Sequence, residues 1–307
     1  MSNEKMNKPI IIGVDHGFAM MKYAHGTFPN GLKRIQGEAS LENNTLVVDG
    51  QTYKIGEGRL PMKEDKTSDE DYFILTLASV CKEMKFRGLK QANVILAVGL
   101  PFSRFGTERK TFHDYLKREG LIQVSLDGED YEIEIDEVFV YPQCYAAIAN
   151  RIGSMEAETL VVDIGSKTVD VIHFVDRVPQ ESESTSWPKA LIECTESIKN
   201  EVYSQMNRNL TDTQIQKVML EGDNPLIPEE CVSIIRCVLH QFVESIEAKL
   251  RENGFEIDMI PIIYVGGGAG IMRRFRSGSR KNVTYIEDIC ANAIGYEYLC
   301  SRSVDRG

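Results

Sequence analysis

Two kinds of hydrophobic pattern alternate along this chain. One is a short run of apolar, often β-branched residues that stops abruptly on an acid or a glycine, as a buried strand does. The other places apolar residues three and four apart, as on a helix packed along one face. The first kind predicts strands at 9–14, 19–24, 93–98, 121–126, 131–140, 160–162, 169–175, 260–265 and 283–286, with shorter apolar stretches at 46–48 and 53–55. The second predicts helices at 70–87, 107–119, 143–151, 188–206, 212–220, 229–250 and 291–299. The clearest is 229–250, where Cys231, Ile234, Ile235, Val238, Leu239, Phe242, Ile246 and Leu250 form one apolar stripe. Asp127-Gly128 signals a tight hairpin, and Gly120 is read as the C-cap of the helix before it. Residues 1–8 read as a polar leader, 29–71 as a small polar insertion, and the serine-rich stretch 178–187 as a loop or mobile edge.

Strands alternating with helices predict an α/β protein. Within that pattern one unit occurs twice. A hydrophobic run ends on Asp15-His16-Gly17 and a second strand carrying Lys22 follows. About half the chain later another run ends on Asp163-Ile164-Gly165, followed by Ser166-Lys167-Thr168 and a strand carrying Asp170. The repetition predicts two lobes built on the same hairpin. Taken alone, either hairpin is an ordinary surface turn. Together, their acids and glycines suit a metal-bound phosphate, because glycine lets backbone N–H groups approach phosphate oxygens.

Composition narrows the class. The 307 residues, 42% hydrophobic and 26% charged, can form two soluble lobes with sizeable cores. A net charge of −11 argues against direct DNA binding, which needs clustered Lys and Arg. The short basic run Arg273-Arg274-Phe275-Arg276, with Arg280-Lys281 beyond it, reads as a solvated helix end and loop. No stretch has the length of a signal peptide or approaches the roughly 20 apolar residues of a membrane span. Seven scattered cysteines without a Cys-x-x-Cys pair read as reduced thiols in a cytoplasmic protein. The five histidines lack metal-ligand spacing, so no zinc site is expected.

A third segment bears on phosphate. Gly266-Gly267-Gly268-Ala269-Gly270 lies between a buried strand and a helix, where a ligand could lie against backbone N–H groups at the positive helix end. The bland alternative is a tight strand-to-helix turn. The segment is not a dinucleotide fingerprint, and the chain contains neither a P-loop nor a nucleophile elbow.

In order, Asp15-His16-Gly17…Lys22, Pro142-Gln143, Asp163 to Asp170, Val265 to Ala269 and Ala291-Asn292-Ala293-Ile294-Gly295 resemble the five nucleotide-site segments of the actin-like ATPase superfamily. The length and compact insertion resemble its ParM/StbA plasmid-segregation branch, and residues 12–17 its Gram-positive members. The resemblance implies a two-lobed actin/ribonuclease-H-like ATPase fold with nucleotide in the interlobe cleft. The first lobe would comprise 1–152 and 290–307, with a small subdomain inserted at about 30–70. The second would comprise 153–289, with a helical subdomain inserted at about 186–254.

The same resemblance assigns roles. Asp15 and Asp163 would hold Mg²⁺ through its water shell, and Lys22 would reach a phosphate. Gln143 would orient the attacking water and Asp170 would polarise it. Gly17, Gly165, Ser166, Lys167 and Thr168 would wrap the phosphates of ATP (or GTP), and Gly266, Gly267 and Gly268 would line the nucleoside and α-phosphate. Phe18-Ala19-Met20 lacks the hydroxyl often found after the first glycine, and Lys167 stands where many relatives have a small residue or Thr.

The function so implied is a filament-forming ATPase that polymerises with itself and segregates plasmid DNA through a small DNA-binding adaptor on a centromere-like site. A small-molecule kinase of the same fold is the alternative, and a slow nucleotide-binding scaffold the third reading. The sequence shows neither a substrate-binding insertion for the former nor a client-binding domain for the latter.

Overall fold

The computed structural model describes residues 8–36, 43–61, 66–188 and 190–305. Most of the expected leader, and parts of the 30–70 insertion, lie outside them. The chain divides into two compact units, Met1–Asn150 with Cys290–Gly307, and Arg151–Ile289.

The first unit opens with β1 (Ile10–His16), β2 (Met20–Tyr23), β3 (Gly26–Pro29), β4 (Gly31–Ile35), β5 (Thr45–Val48) and β6 (Gln51–Arg59). After α1 (Asp71–Phe86) come β7 (Gln91–Leu100), α2 (Phe102–Leu116), β8 (Leu121–Leu126) and β9 (Glu129–Pro142). Nine strands form one sheet in the order β3-β2-β1-β7-β9-β8-β5-β6-β4. The inserted strands β4 to β6 therefore extend the main sheet through the β5–β8 pairing. Asp127 and Gly128 both have positive φ and make the tight β8–β9 hairpin.

Helix α1 is buried nearly all round. Its buried Thr76 and Ser79 hydroxyls satisfy themselves on the carbonyls of Tyr72 (2.6 Å) and Leu75 (2.9 Å), so polar residues tolerate the core there. Two expectations need correction. Helix α2 begins directly after Pro101 and ends at Leu116, so Gly120 is not its C-cap but a positive-φ residue leading into β8. Residues 143–151 do not form an α-helix; after Gln143 the chain makes short 3-10 turns at Ala146–Ile148 and Ile152–Ser154.

The second unit contains β10 (Glu158–Ile164), β11 (Thr168–Val175), β12 (Val178–Pro179), β13 (Thr185–Pro188), α3 (Leu191–Met206), α4 (Asp212–Glu221) and α5 (Glu229–Glu252). β14 (Ile262–Val265), α6 (Gly267–Phe275) and β15 (Val283–Ile286) complete it. Its sheet runs β12-β11-β10-β14-β15, with β13 also paired to β11. This repeats the first unit's β3-β2-β1-β7-β9: an antiparallel three-strand meander followed by two parallel strands. The stretch expected to be a loop or mobile edge thus supplies two short strands at the sheet's edge, β12 and β13, both paired to β11.

A Thr211/Gln214 capping box starts α4. Helix α5 buries Cys231, Ile235, Leu239, Ile246 and Leu250 as its stripe predicts, and also Glu247. Glu247 corrects the reading of the basic run. Arg276 is only 6% exposed and bonds Glu247 Oε1 at 2.5 Å, while Arg280 reaches Oε2 at 3.1 Å. Those arginines form a largely buried clamp, because a carboxylate inside a core needs cationic partners. The last helix, α7 (Ala291–Val304), belongs to the first unit.

Candidate functional site

The first unit brings Asp15, Gly17, Lys22 and Gln143 together. Asp15 and Lys22 are register partners across β1 and β2, which places their side chains on one face. Lys22 Nζ lies 2.9 Å from Asp15 Oδ2, and Gln143 Nε2 donates to Asp15 Oδ1 at 2.8 Å. An ionised carboxylate only accepts, so the Gln143 amide must present its nitrogen to Asp15, leaving its oxygen as an acceptor. Burial by itself would raise the Asp15 carboxyl. The Lys22 ammonium in contact with it, and Lys66 behind, hold it below the ordinary carboxylate value.

Gly17 is required by space. A Cβ there would lie 2.6 Å from the Met20 carbonyl oxygen. Asn30 braces the turn by donating to the Gly17 carbonyl at 2.7 Å. Lys66, which the sequence did not flag, and His16 of the turn's own motif stand behind it. Lys66, 5% exposed, donates to the His16 carbonyl at 2.5 Å, and burial pulls its ammonium down to about 8. His16 is driven to about 3 by burial and is neutral. Because the Thr76 hydroxyl is committed to Tyr72, it accepts from His16 Nε2 at 2.7 Å. No motif marks Lys66, since its place beside the turn depends on the path of a polar segment.

Gln143 is set by an unusual turn. Cys144 has φ +66°, and Tyr145 N–H donates to the Gln143 carbonyl at 2.7 Å. This is a positive-φ γ-turn, a rare and strained conformation costing on the order of 1–3 kcal/mol.

The second unit brings together Asp163, the loop Gly165-Ser166-Lys167-Thr168, Asp170 and Gly266 to Gly268. Asp163 and Asp170 are register partners across β10 and β11, both nearly buried. The half-buried loop between them closes through Gly165 N–H donating to the Thr168 carbonyl at 2.9 Å. Helix α3 anchors it: Leu191 and Ile192 N–H donate to the carbonyls of Gly165 (3.4 Å) and Ser166 (2.9 Å). Free amides of a helix start are thereby spent on loop carbonyls.

Asp170 is flanked by Asp163 on β10 and by Ser186 on β13. Burial raises its carboxyl, partly offset by hydrogen bonds from Ser186 and from Thr168 Oγ1, the latter at 3.1 Å. The sequence missed Ser186 because β13 is short and polar.

Gly266 has φ +78°, and a Cβ on it would sit 2.7 Å from Asp163 Oδ1. A Cβ on Gly268 would lie 2.3 Å from Ile164 Cγ2, so α6 begins pressed against the end of β10. The first turn of α6 holds no acid, which leaves its positive end uncompensated by its own residues. Among the described residues no group of three or more His, Cys, Asp or Glu is gathered as a metal cage. None of their helices is long and apolar enough to cross a membrane.

Residues 13–145 match the family described as actin like proteins N terminal domain, and residues 161–276 match the archaeal actin homologue MreB-like C-terminal family. The chain belongs to the actin-like proteins. No curated protein matches it by sequence. Among solved structures it is similar to Ta0583, an archaeal actin homologue, at 22% identity and TM-score 0.74, covering 95% of this chain and 99% of that one. It is similar to the pSK41 ParM protein at 17% identity and TM-score 0.72, covering 96% and 98%. It is also similar to Bacillus thuringiensis ParM with ATP, at 14% identity and TM-score 0.70, covering 98% and 100%. These likenesses establish the two-lobed actin-like α/β fold.

Proposed function

We propose that this actin-like protein is a nucleotide-dependent, filament-forming ATPase that segregates plasmid DNA through a small DNA-binding adaptor. The observation that carries the reading is the Asp163–Asp170 pair, buried side by side at the mouth of a glycine-bearing loop. Two carboxylates in register repel each other unless a cation or a proton intervenes. Carboxylate oxygens suit Mg²⁺, and Asp163 and Asp15 would hold it through its water shell, leaving Asp170 for the water. When bound, Mg²⁺ would supply charge neutralisation of the phosphates.

The chain's own residues then divide the work. Gly17 and Gly165, whose own N–H groups close the turns on the Asp15 (3.1 Å) and Thr168 (2.9 Å) carbonyls, keep the approach clear of side chains. The amides of Ser166, Lys167 and Thr168, with Lys22, bind phosphate oxygens, and Gly266 to Gly268 open the approach to the nucleoside and α-phosphate. The raised Asp170 carboxyl is a stronger base than an exposed aspartate and polarises the attacking water. Gln143 offers its amide oxygen to that water. No covalent nucleophile is needed for phosphoanhydride hydrolysis.

Support for nucleotide and polymer comes from the similar proteins: Ta0583 has been solved in complex with ADP, B. thuringiensis ParM with ATP and AMPPNP, and Alp12 as a filament. Pelleting and light scattering with ATP, GTP and AMPPNP in Mg²⁺ test the reading. Nucleotide-dependent polymer is expected, and the comparison of ATP with GTP shows which of the two the site takes. A protein that stays monomeric at high concentration in all three would sink the filament reading. Phosphate transfer that appears only with an added sugar or small acid would instead indicate the small-molecule kinase.

A further inference from the structure

We propose that Asn292, acting through the backbone of Cys144, is a positioning residue for hydrolysis because it holds Gln143 in place; this rests on the reading of Gln143 as the residue that orients the attacking water. After β9 ends at Pro142, the Gln143 N–H donates to the Leu100 carbonyl at the end of β7 (2.8 Å). The chain then reverses through the positive-φ γ-turn centred on Cys144. The inward-facing N–H of fully buried Cys144 donates to Asn292 Oδ1 at 3.0 Å. A buried backbone N–H that lost this acceptor would pull the turn out of its sparsely populated conformation.

Asn292 is itself immobilised. It stands in the first turn of α7, and α7 approaches its neighbours too closely for any side chain between them. A Cβ on Gly13 would lie 2.0 Å from the Ala293 carbonyl oxygen, and one on Gly295 would lie 1.9 Å from that of Ala146. The turn is thus gripped by β7 through Leu100 and by α7 through Asn292, and from it the Gln143 amide reaches Asp15 Oδ1 at 2.8 Å. Displacing a group that orients a reactant by about 1 Å costs on the order of 100-fold in rate. The sequence segment holding Asn292 resembles a nucleotide-site segment, yet its side chain is turned to the protein's own backbone.

The test compares full-length wild type with N292A, N292D, Q143A, Q143A/N292A and C144G/N292A. The readouts are phosphate release from ATP in single turnover and affinity for AMPPNP. N292A is expected to slow hydrolysis by about 10- to 100-fold while AMPPNP affinity changes by less than about 3-fold. Q143A/N292A should be no slower than Q143A, since both act through one side chain. C144G/N292A should regain most of the rate, because glycine adopts positive φ without the anchor. N292D, which keeps an oxygen toward the Cys144 N–H, should be at least about 5-fold faster than N292A and keeps the comparison usable if N292A folds poorly. An N292A rate within about 2-fold of wild type, additive losses in the double variant, or no recovery with C144G overturns the proposal. If Q143A hydrolyses at the wild-type rate, the reading of Gln143 fails as well; a slow Q143A beside a normal N292A rejects the positioning role alone.

Discussion

Asp163 and Asp170 face each other in register across β10 and β11, at the place where the first unit's equivalent hairpin pairs Asp15 with Lys22. The same turn geometry therefore carries two electrostatic states. The first unit compensates its buried acid with its own lysine at 2.9 Å. The second sets a further acid, Asp170, opposite Asp163.

Replacing Asp170 separates chemistry from stability. Its folded carboxyl lies above the ordinary value of 3.8, so the stability it contributes is present below that value and lost as pH rises through the folded one. At pH 7.5 the buried charge is a cost, and D170N should raise the Tm of the nucleotide-free protein by about 2–4 °C for each kcal/mol relieved. Phosphate release should fall by about 100-fold or more while nucleotide-dependent assembly persists. Fast disassembly at an unchanged hydrolysis rate would reject the assigned role.

Lys22, proposed to reach a phosphate, is also paired with a buried acid. K22M leaves the Asp15 carboxylate, 2% exposed, without its ion-pair partner. The expected loss is about 3 kcal/mol, at the low end for such a break because Lys22 is itself 22% exposed. Urea unfolding measures it, and D15N/K22M should recover most of the deficit. A K22M protein as stable as wild type would show that Asp15 is not held by this pair.

Gly266 couples backbone shape to Asp163. G266A forces a Cβ to within 2.7 Å of Asp163 Oδ1 at φ +78°, so stability should fall by roughly 1–2 kcal/mol and ATP affinity by about 10-fold. G278A is the control, since Gly278 has φ +73° and nothing within 4 Å of its added Cβ. Equal loss of ATP affinity in both variants would remove Gly266 from the site.

Lys66 predicts a pH dependence of opposite sign. Its folded value of about 8 lies below the reference value of 10.5. Between those values the unfolded chain holds a proton that the folded one releases, so stability rises with pH. From pH 7.5 to 9.5 that amounts to about 2 kcal/mol, which K66M should abolish. Parallel stability profiles of wild type and K66M across that range would refute it.

Much of the architecture is legible before folding. The runs ending at Asp15 and Asp163 mark the first strand of each unit, and α1, α4 and α5 begin within a residue of where periodicity puts them. These are local signals, fixed by alternation, helical spacing and caps. The repeated Asp-x-Gly hairpin also predicted two like units, and the sheets share their β3-β2-β1-β7-β9 and β12-β11-β10-β14-β15 order.

What the sequence alone determined, then, is where strands stop and which acids and glycines stand at their ends, because chain order suffices for that. Tertiary structure decided what those residues touch. Pairing register set Asp170 against Asp163 and Ser186 but Lys22 against Asp15. The close seating of α7 made Asn292 the acceptor for Cys144, and burial in the second unit turned Arg276 and Arg280 from solvated charges into the clamp on Glu247. Each depends on contacts between residues far apart in the chain, where register, burial and charge compensation replace local propensity as the deciding terms.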